Sequence, residues 1–473
     1  MVLMLDPQTL THRERASLFT EKMSAAKIPE LMVQNFQHYY KQLVAGETGY
    51  IRSQDAGPVT SIPDADQLAS YCAAGKAVLN NTVILKLNGG LGTSMGMDGP
   101  KSLVPVKDGL SFLDIIVRQA LYLRQQYGAR LPLLFMNSFH TQAATQAVLN
   151  RYANLKQDVP FGFLQHKEPK VDKETLTPAS WPISSEKEWC PPGHGDLYSA
   201  LVTSGMLEKL MAAGYEYIFV SNADNLGATL DLQILGYMAQ NKVPFLMEVT
   251  DRTLADRKGG HLARRSDGQL LLREVAQCPP DELELFQDIE RYRYFNTNNL
   301  WLHLPTLKRV LTERNGILGL PLIRNEKPVD PTDPHSPRVY QLETAMGSAI
   351  AVFEGAQAMR VSRRRFVPVK KNNDLLLLRS DVYRLNEQYE LEQMVDELPL
   401  IDLDMRYYQL LNELETRFPH GAPSLKMCRR LEITGDVYFG RNVAVKGDAK
   451  IMNDDQEPLY IGDQTIVNGV IDY

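Results

Sequence analysis

The chain has 473 residues, 44% of them hydrophobic and 23% charged, with a net charge of −6 and a pI near 5.9. That length predicts roughly three domains of about 150 residues, or one large domain with appendages, and leaves ample chain for a sizeable core. An acidic chain without a basic block argues against nucleic acid or anionic membrane as its main partner, and leaves room for local basic sites that bind phosphates.

The four cysteines, Cys72, Cys190, Cys278 and Cys428, are far apart and form no CxxC pair. That is neither a zinc pattern nor a disulfide framework, so a reducing, cytoplasmic compartment is expected. The opening MVLMLD is too short for a signal sequence, and Asp6 interrupts it. No run of about 18 apolar residues appears, so no membrane span is expected.

Residues 1–80 read as a helical N-terminal region. Leu18, Met23, Ile28, Leu31, Met32 and Phe36 fall close to helical spacing between Thr11 and Tyr40. Asp55 to Pro63 reads as a loop. No chemistry is visible there.

Residues 81–385 alternate between strand and helix patterns. Val83–Leu87, Leu131–Met136, Tyr217–Val220, Pro244–Val249 and Leu300–Leu304 read as strands. Phe112–Tyr127 and Thr141–Tyr152 read as helices. Such alternation predicts an α/β fold with a mostly parallel sheet, helices on both faces, and ligands at the carboxyl ends of the strands.

The stretch VILKLNGGLGTSMGMDGPKS, residues 83–102, takes that position. Its glycines let the backbone approach a ligand closely, because no Cβ stands in the way. Successive N–H groups then form an anion cradle, and Lys101 adds a cation at the far end. The loop lacks the terminal GK[ST] of a P-loop and the GxGxxG of a dinucleotide fold.

Further along, WCPPGHGD (189–196) is a second rigid Gly/Pro loop around His194, whose ring or backbone can meet a ligand, although a lone histidine is more often structural. Asp224 follows the Tyr217–Val220 strand, where a carboxylate can share Mg²⁺ with phosphate oxygens and water. Equally, it can be a turn residue or a helix N-cap. Lys258-Gly259-Gly260-His261 reads as a glycine turn. Asn296, Asn298 and Asn299 stand ahead of an apolar strand, and carboxamides there can bind sugar hydroxyls or their own backbone. Arg363 to Arg365 lead to Val367-Pro368-Val369-Lys370, in which the proline fixes the approach of Lys370.

Residues 386–423 read as a helical connector, ending at Pro419-His420-Gly421-Ala422-Pro423. The period then changes. Ile433, Phe439, Val445 and Ile451 are each six residues apart, and Ile461 and Val467 resume the spacing after an insertion of four. Gly435, Gly440 and Gly447 fall in the turns. A six-residue aliphatic period predicts a parallel β-helix over 424–473. A small meander is the alternative. The region carries no catalytic group and is expected to serve assembly or stability.

The strings LNGGLGTSMGMDGPKS, WCPPGHGD, FVSNADNLGA, KGGH, FNTNNLW, QLETA and SRRRFVPVK resemble, in the same order, those of the eukaryotic-type UTP–glucose-1-phosphate uridylyltransferases, or UDP-glucose pyrophosphorylases. The related N-acetylglucosamine enzymes carry Gln and Arg inside the first loop, where this chain has Leu91 and Ser94. The resemblance implies a nucleotide-diphospho-sugar transferase catalytic domain over 81–385, with a Rossmann-like mixed sheet and a left-handed parallel β-helix behind it. It implies UTP and glucose 1-phosphate as substrates, Mg²⁺ as cofactor, and a homo-oligomer as a possible assembly. It puts Leu87, Asn88, Gly89, Gly90, Lys101, Gln165, Gly193, Asp224 and Lys370 on the nucleotide, with Gln165 at the uracil. It puts His194, Asn222, Ala223, Asp224, Gly260 and Asn298 on the sugar phosphate, Asp224 on the metal, and Lys101 and Lys370 in catalysis. The rivals are a UDP-sugar pyrophosphorylase of broader sugar range and a glycosyltransferase-like nucleotide-sugar binder. A glycosyltransferase normally shows paired aspartates around its metal, and Asn222 stands where the first would be.

Overall fold

A computed structural model describes residues 10–92, 95–97 and 99–472. The MVLMLD stretch, together with Thr93, Ser94 and Asp98 of the glycine loop, lies outside the described residues.

The centre is a ten-stranded mixed sheet. Thr82–Asn88 lies between Tyr217–Asn222 and Leu133–Asn137, parallel to both. Gly162–Leu164 extends this parallel part beside Leu133–Asn137. On the other side, Tyr294–His303 runs antiparallel to Tyr217–Asn222 and to Phe245–Asp251. Apolar runs suit the central strands because both faces are covered. Ile84, Phe135 and Phe219 pack into one hydrophobic cluster, while Val83, Leu85, Met136, Ile218 and Val220 pack into another. The capped helix Phe112–Tyr127 buries Ile115, Ile116 and Ala120 on the first face. Its N-cap, Ser111, accepts from the Asp114 N–H, and Gly128 ends it in the left-handed conformation.

The strand expectations hold with one informative shift. The carboxamides of Asn296, Asn298 and Asn299 do not precede a strand. They lie inside Tyr294–His303, at a bulge against Glu248 and Val249. Asn298 takes φ +59°, which asparagine tolerates better than most residues. Leu304, read as the end of that strand, instead begins the helix Leu304–Glu313.

The N-terminal region does more than cover the molecule. Its helical stretch is two helices, His12–Ala25 and Glu30–Val44, broken where Lys27 turns to φ +57° ahead of Pro29. Gly57–Pro58 joins the sheet beside His261–Arg264. The helix Cys72–Val78 packs on Leu232–Gln240.

The 386–423 segment is not simply helical. It holds the strands Leu391–Gln393 and Leu400–Leu403 as well as the short helices Met405–Tyr408 and Leu411–Arg417. Leu400–Leu403 opens a four-stranded parallel sheet with Ser424–Thr434, Ala444–Met452 and Ile466–Asp472. Ile433 stands beside Ile451, and Ile451 beside Ile471. Phe439 stands beside Ile461, and Val445 beside Val467. Three six-residue steps bring Ile433 to Ile451, and the insertion of four lengthens the steps from Phe439 to Ile461 and from Val445 to Val467, while a register shift between Lys446 and Ala449 shortens that from Ile451 to Ile471. The same hydrophobic cluster runs from Ile84 through Tyr408 and Phe418 to Val467.

The contact between Cys72–Val78 and Leu232–Gln240 depends on glycine. A Cβ at Gly75 would stand 1.8 Å from the Leu232 carbonyl oxygen, and one at Gly236 would stand 2.0 Å from that of Tyr71. Backbone on both sides leaves no side chain to yield. Gly75→Ala is therefore expected to destabilise the protein by about 1–3 kcal/mol. Urea unfolding would measure it, and an unchanged midpoint would show that the two helices are not this close.

Candidate active site

Leu87 pairs in register with Asn222 on one side and Met136 on the other. The carboxyl ends of these three strands therefore open at one level. The cleft there, of about 330 Å³, is lined by Leu87, Asn88, Gly89, Gly90, Lys101, Ser102, Met136, Gln165, Pro191, Gly193, His194, Asn222, Ala223 and Asp224.

The glycine loop leaves the first strand and folds back on itself. Leu91 bridges to Pro100, and the Lys101 N–H donates to the Gly90 carbonyl at 3.3 Å. Lys101 is thus returned beside the start of the loop. Asn88 is buried, and its side chain donates to Asn137 Oδ1 and Thr145 Oγ1, both at 2.8 Å. It anchors the loop and leaves its backbone to line the cleft. Gln165 is held at the end of the neighbouring strand by its N–H, which donates to the Asn137 carbonyl at 2.8 Å. A Cβ at Gly89 would stand 2.7 Å from Gln165 Oε1, so glycine there lets that carboxamide lie against the loop.

The His194 loop is fixed by the QLETA segment. Gly193 has φ +77°, and a Cβ on it would stand 2.4 Å from the Thr344 carbonyl oxygen. The Thr344 N–H donates to the Pro192 carbonyl at 3.0 Å, and the Gly195 N–H donates to the Thr344 carbonyl at 2.8 Å. The Met346 N–H donates to His194 Nδ1 at 2.9 Å. A backbone N–H can only donate, so Nδ1 accepts, and Nε2 carries the proton in the neutral ring. Burial pushes the His194 pKa down to about 4. Asp196, from the same loop, accepts from the His166 backbone N–H at 2.6 Å and pairs with its Nδ1 at 2.8 Å. The loop thereby also steadies the Gln165 segment.

Asp224 faces the glycine loop. The Lys101 ammonium donates to Asp224 Oδ2 at 2.8 Å and also to the Val369 carbonyl. The Val369 N–H in turn donates to the Asp224 carbonyl at 3.2 Å, and the Ala223 N–H to the Leu87 carbonyl at 3.0 Å. Three stretches far apart in sequence meet here.

Beneath them lies Lys86, a buried ammonium that donates to Ser221 Oγ and to the Ala228 carbonyl, both at 2.7 Å. Burial, helped by the nearby Arg365 charge, lowers its pKa to about 7. Beside it, the buried Glu248 accepts from Arg365 Nε at 2.8 Å and from its second guanidinium nitrogen at 2.6 Å. It also accepts from Trp301 Nε1 at 2.8 Å and Asn299 Nδ2 at 3.0 Å.

Lys370, Gly260 and Asn298 are not among the lining residues. The Lys370 side chain is exposed, and its backbone N–H donates to Asp374 Oδ2 at 2.7 Å. It follows directly on Val369, which Lys101 grips. The Gly260 carbonyl accepts from the Asn296 N–H at 3.0 Å, and Asn298 Oδ1 accepts from Asn296 Nδ2 at 2.9 Å. A Cβ at Gly260 would stand 2.5 Å from Glu274 Oε2. Burial raises the Glu274 pKa to about 7, against the pull of the Lys370 charge.

Several residues escaped the sequence reading. Ser102 and Pro191 adjoin residues already singled out, and Met136 ends a recognised strand. All three lie inside stretches that the sequence already marked, though none was singled out as a site residue. Glu274 carries no local signal, and Arg365, part of a basic run of the kind normally found on a solvated face, is instead paired with the buried Glu248, a partner distant in the chain.

A family model described as UTP–glucose-1-phosphate uridylyltransferase matches residues 33–446. A relative named probable UTP–glucose-1-phosphate uridylyltransferase, from Schizosaccharomyces pombe, is 43% identical over 397 residues, which are 83% of this chain and 77% of the relative. The Saccharomyces cerevisiae UTP–glucose-1-phosphate uridylyltransferase is 42% identical over 396 residues, 83% of this chain and 78% of its own. A mutant of UDP-glucose pyrophosphorylase from Leishmania major, solved in complex with UDP-glucose, superposes with a TM-score of 0.91 at 44% identity, covering 98% of this chain and all of that one. The matched span contains the glycine loop, the His194 loop, Asp224 and the segment leading to Lys370, and with that agreement in sequence and fold the chain belongs to the UTP–glucose-1-phosphate uridylyltransferase family.

Proposed function

We propose that the chain makes UDP-glucose and pyrophosphate from UTP and α-D-glucose 1-phosphate, reversibly. The observation that carries this reading is the convergence of the glycine-loop backbone, Lys101 and Asp224 in one cleft of a chain from this family. A sugar-phosphate oxygen attacks the α-phosphorus of UTP in line. The new P–O bond forms as the bond to the β-phosphate oxygen breaks, and pyrophosphate leaves with the electron pair. The step requires no enzyme nucleophile. Catalysis then rests on positioning and on neutralising charge.

In this reading the backbone of Leu87 to Gly90 and Gly193 cradles the nucleotide, and Gln165 reads the uracil. His194 offers its Nε2–H to the sugar phosphate as a neutral donor. Asn222, Ala223, Gly260 and Asn298 serve the sugar-phosphate side. Lys101 and Lys370 supply cationic donors to the phosphates.

The donor set fits Mg²⁺ of one kind. Among the described residues no three His, Cys, Asp or Glu side chains converge, so a metal held by protein ligands alone does not fit. A metal that arrives with phosphate oxygens and water needs only one or two carboxylates. Asp224, already facing the ammonium of Lys101, supplies one. Bound there, the ion would neutralise phosphate charge.

We read the C-terminal coils as a left-handed parallel β-helix, supported by the six-residue period and the register of Ile433 with Ile451. In the final strand, at the edge of its sheet among the described residues, Ile466 is 64% exposed and Val470 68%, which supports assembly into a homo-oligomer through this end. The four cysteines are free thiols, in keeping with a cytoplasmic setting, and no described helix is long and apolar enough to cross a membrane.

Asp224→Asn is expected to remove most Mg²⁺-dependent turnover while leaving the fold intact, as read by a pyrophosphate-release assay and circular dichroism. Near-normal turnover would take Asp224 out of this role. Lys370→Ala is expected to lower kcat about 10²–10³-fold, more than it raises KM for UTP, because one preorganised charge-stabilising donor is lost. Lys370→Arg is expected to be impaired as well, since a guanidinium does not reproduce a compact ammonium. A change in KM alone would make Lys370 a uniform binder.

The His194 ring is expected to stay neutral throughout pH 6–9. Its folded pKa lies below the unfolded value near 6.5. Between pH 6.5 and about 4 the unfolded chain therefore binds the proton that the folded one refuses, and this contribution to stability falls as pH falls. An NMR titration of the ring with a midpoint near 6.5 would contradict the assignment.

A further inference from the structure

The segment that carries Lys370 is docked on the Asp224 loop by a short antiparallel contact, with Asn225 opposite Pro368. One rung is ordinary: the Val369 N–H donates to the Asp224 carbonyl. In a regular ladder the next rung would pair Val367 with Leu226. Here the Val367 N–H donates instead to Asn225 Oδ1 at 2.9 Å. The same carboxamide donates through Nδ2 to the Arg365 carbonyl at 3.1 Å, and lies 3.4 Å from Asn299 Oδ1. Asn225 is 1% exposed, so these groups have no water to replace it. One side chain thus supplies the rungs that the backbone omits.

We propose that Asn225 is a positioning residue that holds Lys370 in place relative to Asp224, by tying Arg365 and Val367 to the Asp224 loop. The proposal rests on the reading that Lys370 acts at the phosphates. The rest of the segment is already restrained. Arg365 is clamped by Glu248 on one side of the contact, and the Lys370 N–H is held by Asp374 on the other. Lys101 joins Asp224 to the Val369 carbonyl across the cleft. Asn225 is the piece that sets the distance between these anchors. Its chemistry is specific, because the site needs one acceptor and one donor in a single planar group. Serine is too short to span both partners. Aspartate keeps the acceptor, but turns a second oxygen toward two other oxygens.

The test is a double-mutant cycle of Asn225→Ser with Lys370→Ala, followed by kcat, KM for UTP and the thermal midpoint of each protein. Asn225→Ser alone is expected to lower kcat at least about tenfold with KM for UTP within about threefold, the pattern of an interaction felt in the transition state. In the Lys370→Ala background the same change is expected to cost no more than about threefold, because groups acting as a unit are not additive. Equal losses in both backgrounds, or a normal kcat in Asn225→Ser, would overturn the proposal while leaving the role of Lys370 intact. A near-normal kcat in Lys370→Ala would instead remove the reading beneath it, and the proposal with it. If Asn225→Ser does not fold, Asn225→Asp, which keeps the acceptor for Val367, carries the cycle. If neither variant folds, Asn225 is a folding residue and the proposal fails.

Discussion

The site depends on one pairing, the parallel register that sets Leu87 beside Asn222. It places the glycine loop and the Asp224 loop at the same level and side by side. Backbone bonds continue past the strands, from the Ala223 N–H to the Leu87 carbonyl. Lys86 then locks the pair from below by reaching Ser221 Oγ and the Ala228 carbonyl, on either side of Asp224. A buried ammonium is costly unless its hydrogens are satisfied. That cost makes the register discriminating, because a shifted strand would leave the charge without partners.

A second layer of polar groups under the cleft extends this restraint. The Glu248 carboxylate gathers Arg365, Asn299 and Trp301, which come from the bulged strand and the Lys370 segment. Breaking such a pair by removing one member leaves an uncompensated buried charge, so both sides are constrained together. The indole of Trp301 also packs on Phe219, with ring centroids 4.4 Å apart. Polar and apolar contacts thus hold the same strand ends.

The electrostatics of the cleft are divided between fixed and movable donors. The loop N–H groups and the neutral His194 ring are held by backbone, an arrangement with little freedom to reorganise. Lys101, which lines the cleft, and Lys370, which does not, carry their charges on long side chains. Lys101 is engaged by Asp224 and by the Val369 carbonyl, while the Lys370 side chain is exposed on a restrained backbone. The carboxylate of Asp224 therefore orients a cation of the loop opposite to its own.

Patterns local to the chain were legible without coordinates. The glycine loop at the end of an apolar strand and Asp224 after its strand follow from spacing and composition, because a strand and its turn are decided by neighbouring residues, while the His194 loop stood out as a site through the family resemblance. The six-residue period marked the repeating aliphatic positions of the C-terminal strands, whereas the register that sets Ile433 beside Ile451 is a property of the paired strands. Tertiary structure decided what was paired across distance. Nothing around Asn296 to Asn299 marks them as part of a bulged strand, since the bulge exists only against Glu248 and Val249. Gly57–Pro58 becomes a strand only where His261–Arg264 offers its edge. Lys101 meets Asp224 across 123 residues of sequence, and Asn225 meets Val367 across 142. Hydrogen-bond partners this remote leave no periodic trace in the chain, so they are fixed only when the strands come into register.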